Sequence, residues 1–142
     1  MGVAPGAPAV DVQALWSHIT QSSPYTSWRL FPGKGKLYKG TVPHGALLTT
    51  YVNKGARKAL ADKTVPLPNG AIIVKENYSP KKELKAITVM YKVAGYNPKG
   101  NDWYWAKYTP GGKVLASGSV PMCITCHKGR KVFDYIMTSP GI

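Results

Sequence analysis

Cys123-Ile124-Thr125-Cys126-His127 places two thiols and an imidazole within five residues. Cysteines three positions apart share one helical turn, and each thiol can add across a haem vinyl group. The imidazole that follows then lies under the iron as the proximal ligand. Cys-x-x-Cys-His is the c-type haem attachment signature, and it uses both cysteines of the chain. Three other readings compete. A Cys-x-x-Cys redox pair would want a βαβ context and no obligatory histidine. A structural zinc would want a second ligand pair, and only His18 and His44 remain. A disulfide across so short a loop stabilises little. Covalent haem c, one group held through Cys123 and Cys126 with His127 on the iron, uses every side chain of the motif.

Haem ligation to cysteine normally takes place after export. The motif therefore implies a periplasmic location. The first ten residues show neither a basic n-region nor an apolar h-region, so the expectation is a chain whose export signal has been removed.

The elements that must position this motif are mostly strands. The length of 142 residues suggests one domain, residues 11–142, behind a Pro/Ala/Gly-rich tail over residues 1–10. Asp11 reads as an N-cap, and Val12, Leu15, Trp16 and Ile19 follow helical spacing, which predicts a short helix over 11–21. Residues 22–45 are rich in Ser, Pro and Gly, with Trp28, Leu30 and Phe31 as expected buried anchors. Leu47–Val52 reads as a strand, and Asn53 can cap a short helix around Ala56–Ala61. Pro66, Pro68, Asn69 and Gly70 make a turn. Strands follow at Ala71–Tyr78, Ala86–Val93, Asp102–Tyr108 and Lys113–Ser119, each bounded by turn residues. The expected class is mainly β (α+β): an antiparallel sheet with a few short helices and a C-terminal haem-binding segment. Gly129 is placed at the end of the haem-binding turn, and Lys131–Met137 as a short closing helix.

The period-2 rule sorts the strands. Ile73 and Lys75 share one face, with Ile72, Val74 and Glu76 on the other. Trp103, Trp105 and Lys107 face one way, with Tyr104, Ala106 and Tyr108 the other way. Both faces are largely apolar.

The formal net charge is +13, from 19 Lys and Arg against 6 Asp and Glu. The basic residues are scattered in runs of no more than two, and no nucleic-acid motif accompanies them. They read as a solvated basic surface, or, for a redox protein, as steering toward an acidic electron-transfer partner. No apolar run approaches the length of a membrane span.

A haem motif at the end of a β-rich body resembles the cytochrome P-460 / cytochrome c′-β family. The resemblance rests on Pro43-His44-Gly45, Thr50-Tyr51-Val52-Asn53, and Leu67-Pro68-Asn69-Gly70 leading into Ile73-Val74-Lys75-Glu76. It continues through Gly95-Tyr96-Asn97-Pro98, Asp102-Trp103-Tyr104-Trp105, Pro110-Gly111-Gly112-Lys113 and Met122-Cys123-Ile124-Thr125-Cys126-His127. It implies a homodimer of antiparallel sheet, with five-coordinate haem in a pocket and an open distal side. In the P-460 branch a lysine nitrogen is bonded to a haem meso carbon, and hydroxylamine is oxidised through an iron-nitrosyl to nitrous oxide or other nitrogen oxides. In the c′-β branch the cross-link is absent and the site binds nitric oxide and other small gases.

Lys75 matches the family's cross-linking position. Its alternation with Ile73 makes an inward-facing lysine possible, and a desolvated lysine yields the nucleophilic neutral amine more easily. Some P-460 proteins carry a distal carboxylate as proton relay on the strand after the Gly-Tyr segment. Ala106 is placed at that position here, where it supplies no acid. Leu47, Leu48 and Tyr51 are expected to line an apolar distal pocket, which favours a neutral diatomic over acid–base work. Arg130 and Lys128 are candidates for pairing with haem propionates. His18 and His44 read as packing or turn residues, Met90 as core, and Trp103 and Trp105 as core or interface. A third function, electron transfer with two axial ligands, would need one of Met90, Met122 or Met137 on the iron.

Overall fold

A computed structural model describes residues 6–40, 45–64 and 66–118. The cysteine–histidine motif, His44, Arg130, Gly129 and the expected helix at 131–137 lie outside the described residues. The elements in chain order are α1 (Val12–Ser17), β1 (Arg29–Leu30), β2 (Tyr38–Lys39), β3 (Leu47–Val52) and α2 (Lys54–Ala61), then β4 (Ile72–Tyr78), β5 (Leu84–Lys92), β6 (Trp103–Tyr108) and β7 (Val114–Gly118). All seven strands join one antiparallel sheet in the order β1-β3-β4-β5-β6-β7, with β2 also paired to β3. The fold is mainly β, with two short α-helices among the described residues.

Sequence neighbours from β4 onward are sheet neighbours: short turns join β4 to β5 and β6 to β7, and a longer connection with a 3-10 turn at Pro98–Gly100 joins β5 to β6. Those turns fall where Pro, Gly and Asn concentrate. Gly112 closes the β6–β7 turn at φ +98, and a Cβ there would come within 2.7 Å of the Trp16 indole nitrogen. Glycine thus supplies both the left-handed backbone and the room that α1 needs.

The helices cover opposite faces. Asp11 caps α1, its carboxylate accepting from the N–H groups of Gln13 at 3.1 Å and Ala14 at 2.9 Å. After Ser17 the helix widens, the Ser23 N–H reaching the His18 carbonyl five residues back. The helix expected over 11–21 is thus an α-helical turn followed by a wider one. It seats Leu15 and Ile19, both 0% exposed, against Ile72, Val74, Val89, Tyr91, Ala106 and Tyr108. Full burial of such side chains contributes about 1.5–3 kcal/mol each. Trp16 stacks obliquely on Tyr108 with ring centres 4.7 Å apart.

On the other face, α2 packs Ala56, Ala59 and Leu60 against Val52, Ile73, Met90, Trp103 and Trp105. Asn53 caps it and also ties it to the sheet. Its side-chain oxygen accepts from Ala56 N–H at 3.2 Å and Ile72 N–H at 3.0 Å, and its amide donates to the Gly70 carbonyl at 2.9 Å. The helix begins at Lys54, two residues before the expected start.

The 22–45 region departs most from expectation. Phe31 is buried at 1% exposure, but Trp28 and Leu30 are only partly buried. Strands β1 and β2 were not foreseen, since two residues each are too few to show a periodicity.

Candidate functional site

Directly paired residues on antiparallel strands project to the same side, so the register assigns every strand residue to a face. Thr50 pairs with Lys75, Lys75 with Thr88, and Thr88 with Lys107. Tyr51 pairs with Val74, Val74 with Val89, and Val89 with Ala106. These two rows lie on opposite faces of the sheet.

Lys75 therefore stands in the middle of the α2 face, beside the apolar patch that α2 covers. Its exposure is 9%, and Ile73, two residues before it, is 5% exposed. The alternation with Ile73 made an inward-facing lysine possible, and Lys75 is buried. The row it belongs to is polar and fixed by its neighbours. The Thr50 and Tyr38 hydroxyls are 2.7 Å apart. The Asn77 side-chain amide donates to the Lys75 carbonyl at 3.1 Å and to the Thr88 hydroxyl at 3.2 Å. Asn77 itself is 5% exposed. These bonds pin the backbone on both sides of Lys75.

The α1 face has a different polar centre. Glu76, 6% exposed, accepts from the Tyr25 hydroxyl at 2.6 Å and the Tyr78 hydroxyl at 2.7 Å. Burial, and then the Glu76 carboxylate, push both phenols well above the usual tyrosine range. Burial and the same carboxylate raise Tyr51, whose ring meets Tyr25 edge-on at 5.3 Å. Burial alone pushes Tyr91 up to about 12, and its hydroxyl donates to the Pro8 carbonyl at 2.6 Å. A carboxylate accepting from two phenols is satisfied, so this cluster closes a core.

The residues singled out from the sequence are only partly brought together. Leu48 pairs with Asn77 and shares the face of Lys75. Leu47 and Tyr51 project to the other face, and Tyr51 packs in the core beneath α1. The expected lining of Leu47, Leu48 and Tyr51 is thus split by the sheet. Ala106, 4% exposed, also belongs to the α1 core. It does not face Lys75; the β6 residue that does so in register is Lys107. The correction has a simple cause: alternation within a strand was legible, but pairing between strands was not. His18 is partly buried, and burial lowers its imidazole below the usual range. Met90, Trp103 and Trp105 are core residues against α2. The polar row of Thr50, Thr88 and Lys107 was missed. Its one sequence signal was threonines and lysines at strand positions that would otherwise be apolar.

Among the described residues, no helix is long and apolar enough to cross a membrane. No curated protein matches the chain. The family model for Cytochrome P460 matches residues 24–138, a span that contains Lys75 and the whole of 123–127. The order of motifs and the fold agree with that match over most of the chain, which belongs to the Cytochrome P460 family and, as a member, is a protein of c-type haem chemistry.

Proposed function

We propose that this protein is a periplasmic mono-haem oxidoreductase that oxidises hydroxylamine, with haem held by Cys123, Cys126 and His127 and bonded to Lys75. The observation that carries this reading is the burial of Lys75 on a strand face in a member of this family. A lysine buried at the middle of a sheet face, beside the Met90 and Trp105 patch that α2 covers, supports this reading. Bound there, haem would supply a redox-active iron.

The chain's own residues then have separable tasks. Cys123 and Cys126 anchor the group, and His127 orients and ligates the iron. Asn77 and Thr88 hold the backbone of Lys75 in register. Bonding the lysine nitrogen to a macrocycle carbon removes an N–H and a C–H hydrogen, so a two-electron oxidant must accept the electrons. A neutral amine is the reactive form, and a buried position is where it is most accessible. Oxidation of hydroxylamine to nitrous oxide releases protons and electrons in equal number. The basic surface suits an acidic redox partner as the electron acceptor.

One observation favours a second reading, a haem that binds nitric oxide without turnover. The only carboxylate on β3 to β6, Glu76, faces away from Lys75 and is taken up by Tyr25 and Tyr78. No acid on these strands is therefore placed to take protons on the Lys75 face.

Lys75→Met separates the readings. The expected result is a shift of the ferrous Soret band from a red-displaced position to that of ordinary c-haem, with loss of hydroxylamine oxidation. An unchanged spectrum in the variant would contradict the cross-link. An ordinary high-spin spectrum already present in the parent protein, with tight nitric oxide binding, would establish the second reading.

A further inference from the structure

The register runs a line of side chains across the sheet from Thr50 through Lys75 and Thr88 to Lys107. Adjacent strands lie about 4.8 Å apart, which sets the Cα atoms of Lys75 and Lys107 about 10 Å apart. An extended lysine carries its ammonium about 6 Å from Cα, so the Lys107 side chain can reach a small ligand held above Thr88. The hydroxyls of the row are occupied: Thr50, beyond Lys75, by Tyr38, and Thr88, between the lysines, by Asn77 and the Lys75 carbonyl. Lys92, a third lysine on this face, is held at the far end. It donates to the Asn101 carbonyl at 2.6 Å and lies 4.4 Å from the centre of the Trp103 ring.

Lys107 is half-buried, and β3 to β6 put no carboxylate on its face. A cation in partly dry surroundings stabilises a neighbouring anion more than one in bulk water does. We propose that Lys107 forms an anion-binding subsite on the Lys75 face that favours small anions such as nitrite and disfavours cationic nitrogen ligands. The proposal rests on the reading above, in which haem lies against this face. It gives β6 a role opposite to a proton-accepting acid. The residue that faces the ligand attracts negative charge and repels hydroxylammonium. A haem propionate offers the same carboxylate chemistry from a second source.

The test uses the haem-loaded protein, with Lys107→Met and Lys107→Arg. Azide and nitrite are titrated against the ferric form and carbon monoxide against the ferrous form, and the midpoint potential is recorded. The expected result is about tenfold weaker azide and nitrite binding in Lys107→Met. Carbon monoxide affinity stays within about twofold, and Lys107→Arg retains anion binding. A changed potential with unchanged azide affinity assigns the subsite to a propionate and overturns selection of a free anion. Equal weakening of azide and carbon monoxide also overturns it, since that marks a general disturbance of the pocket. The proposed function fails separately, by an absent Lys75–haem bond in the mass of the parent protein.

Discussion

The two faces of the sheet are built from the same strands and do opposite things. The α1 face is closed. Its apolar side chains interlock with Leu15 and Ile19, and its buried carboxylate, Glu76, is answered by two phenols. On the other face α2 covers one apolar patch, and beside that patch runs a row of threonines and lysines. Residues adjacent in sequence fall on either side of this division: Lys75 serves one face and Glu76 the other. A sheet can thus keep an apolar core directly behind a polar row, because strand geometry separates neighbours without any extra element.

The contrast is broken most severely by Leu15→Ala. This side chain is 0% exposed, and its loss leaves a cavity between α1 and the sheet worth about 2–5 kcal/mol. Thr88→Ala, on the other face, should cost only about 1 kcal/mol. Urea unfolding of both proteins measures the difference. Equal destabilisation would mean that the Lys75 face is as tightly built as the core.

Tyr25→Phe comes next. It removes one of two hydrogen bonds to a buried carboxylate and should cost about 1.5–3 kcal/mol. The haem spectrum should not move, since Glu76 faces away from Lys75. A shifted Soret band in this variant would show that the two faces are coupled.

Alkaline pH tests the tyrosines of the closed face together. Their phenols titrate higher in the folded chain than in the unfolded one, Tyr91 at about 12. The unfolded state therefore holds fewer tyrosyl protons above about pH 10. This contribution to stability is whole below that pH and is lost as pH rises toward 12. The urea midpoint should fall between about pH 9 and about pH 11. A constant midpoint would contradict the burial of these hydroxyls.

The smallest effect sharpens the comparison of the helices. Asn53→Ala removes a cap together with two ties to the sheet, whereas Asp11→Ala removes a cap alone. Each loss is on the order of 1 kcal/mol, and Asn53→Ala should be the larger. Thermal unfolding midpoints rank the two.

Much of this molecule was legible in the sequence, because the signals are local. Asp11 and Asn53 announced their helices by type and position. The Pro-Gly-Gly and Asn-Pro-Lys-Gly turns marked the strand ends to within a few residues. The alternation of Lys75 with Ile73 made an inward aspect possible. What failed was the grouping of Tyr51 and Ala106 with Lys75. Two strands agree on a face only through their register. That register depends on a crossover through α2 between β3 and β4, and on irregularities at Asn77/Tyr78 and Lys107/Tyr108. A slip of one residue exchanges the faces, and no single strand records it. Lys107 was overlooked for the same reason: its meaning comes from Thr88 and Lys75, two strands away.

The central claim is that the buried nitrogen of Lys75 is bonded to haem. Proteolysis of the purified protein, followed by mass measurement of the haem-bearing fragment, tests it most directly. The expected result is one species in which haem joins the Cys123–His127 peptide to the peptide carrying Lys75, lighter than its parts by the hydrogens lost in forming the bond. Recovery of the Lys75 peptide unmodified, beside a simple haem adduct of the cysteine peptide, would contradict it.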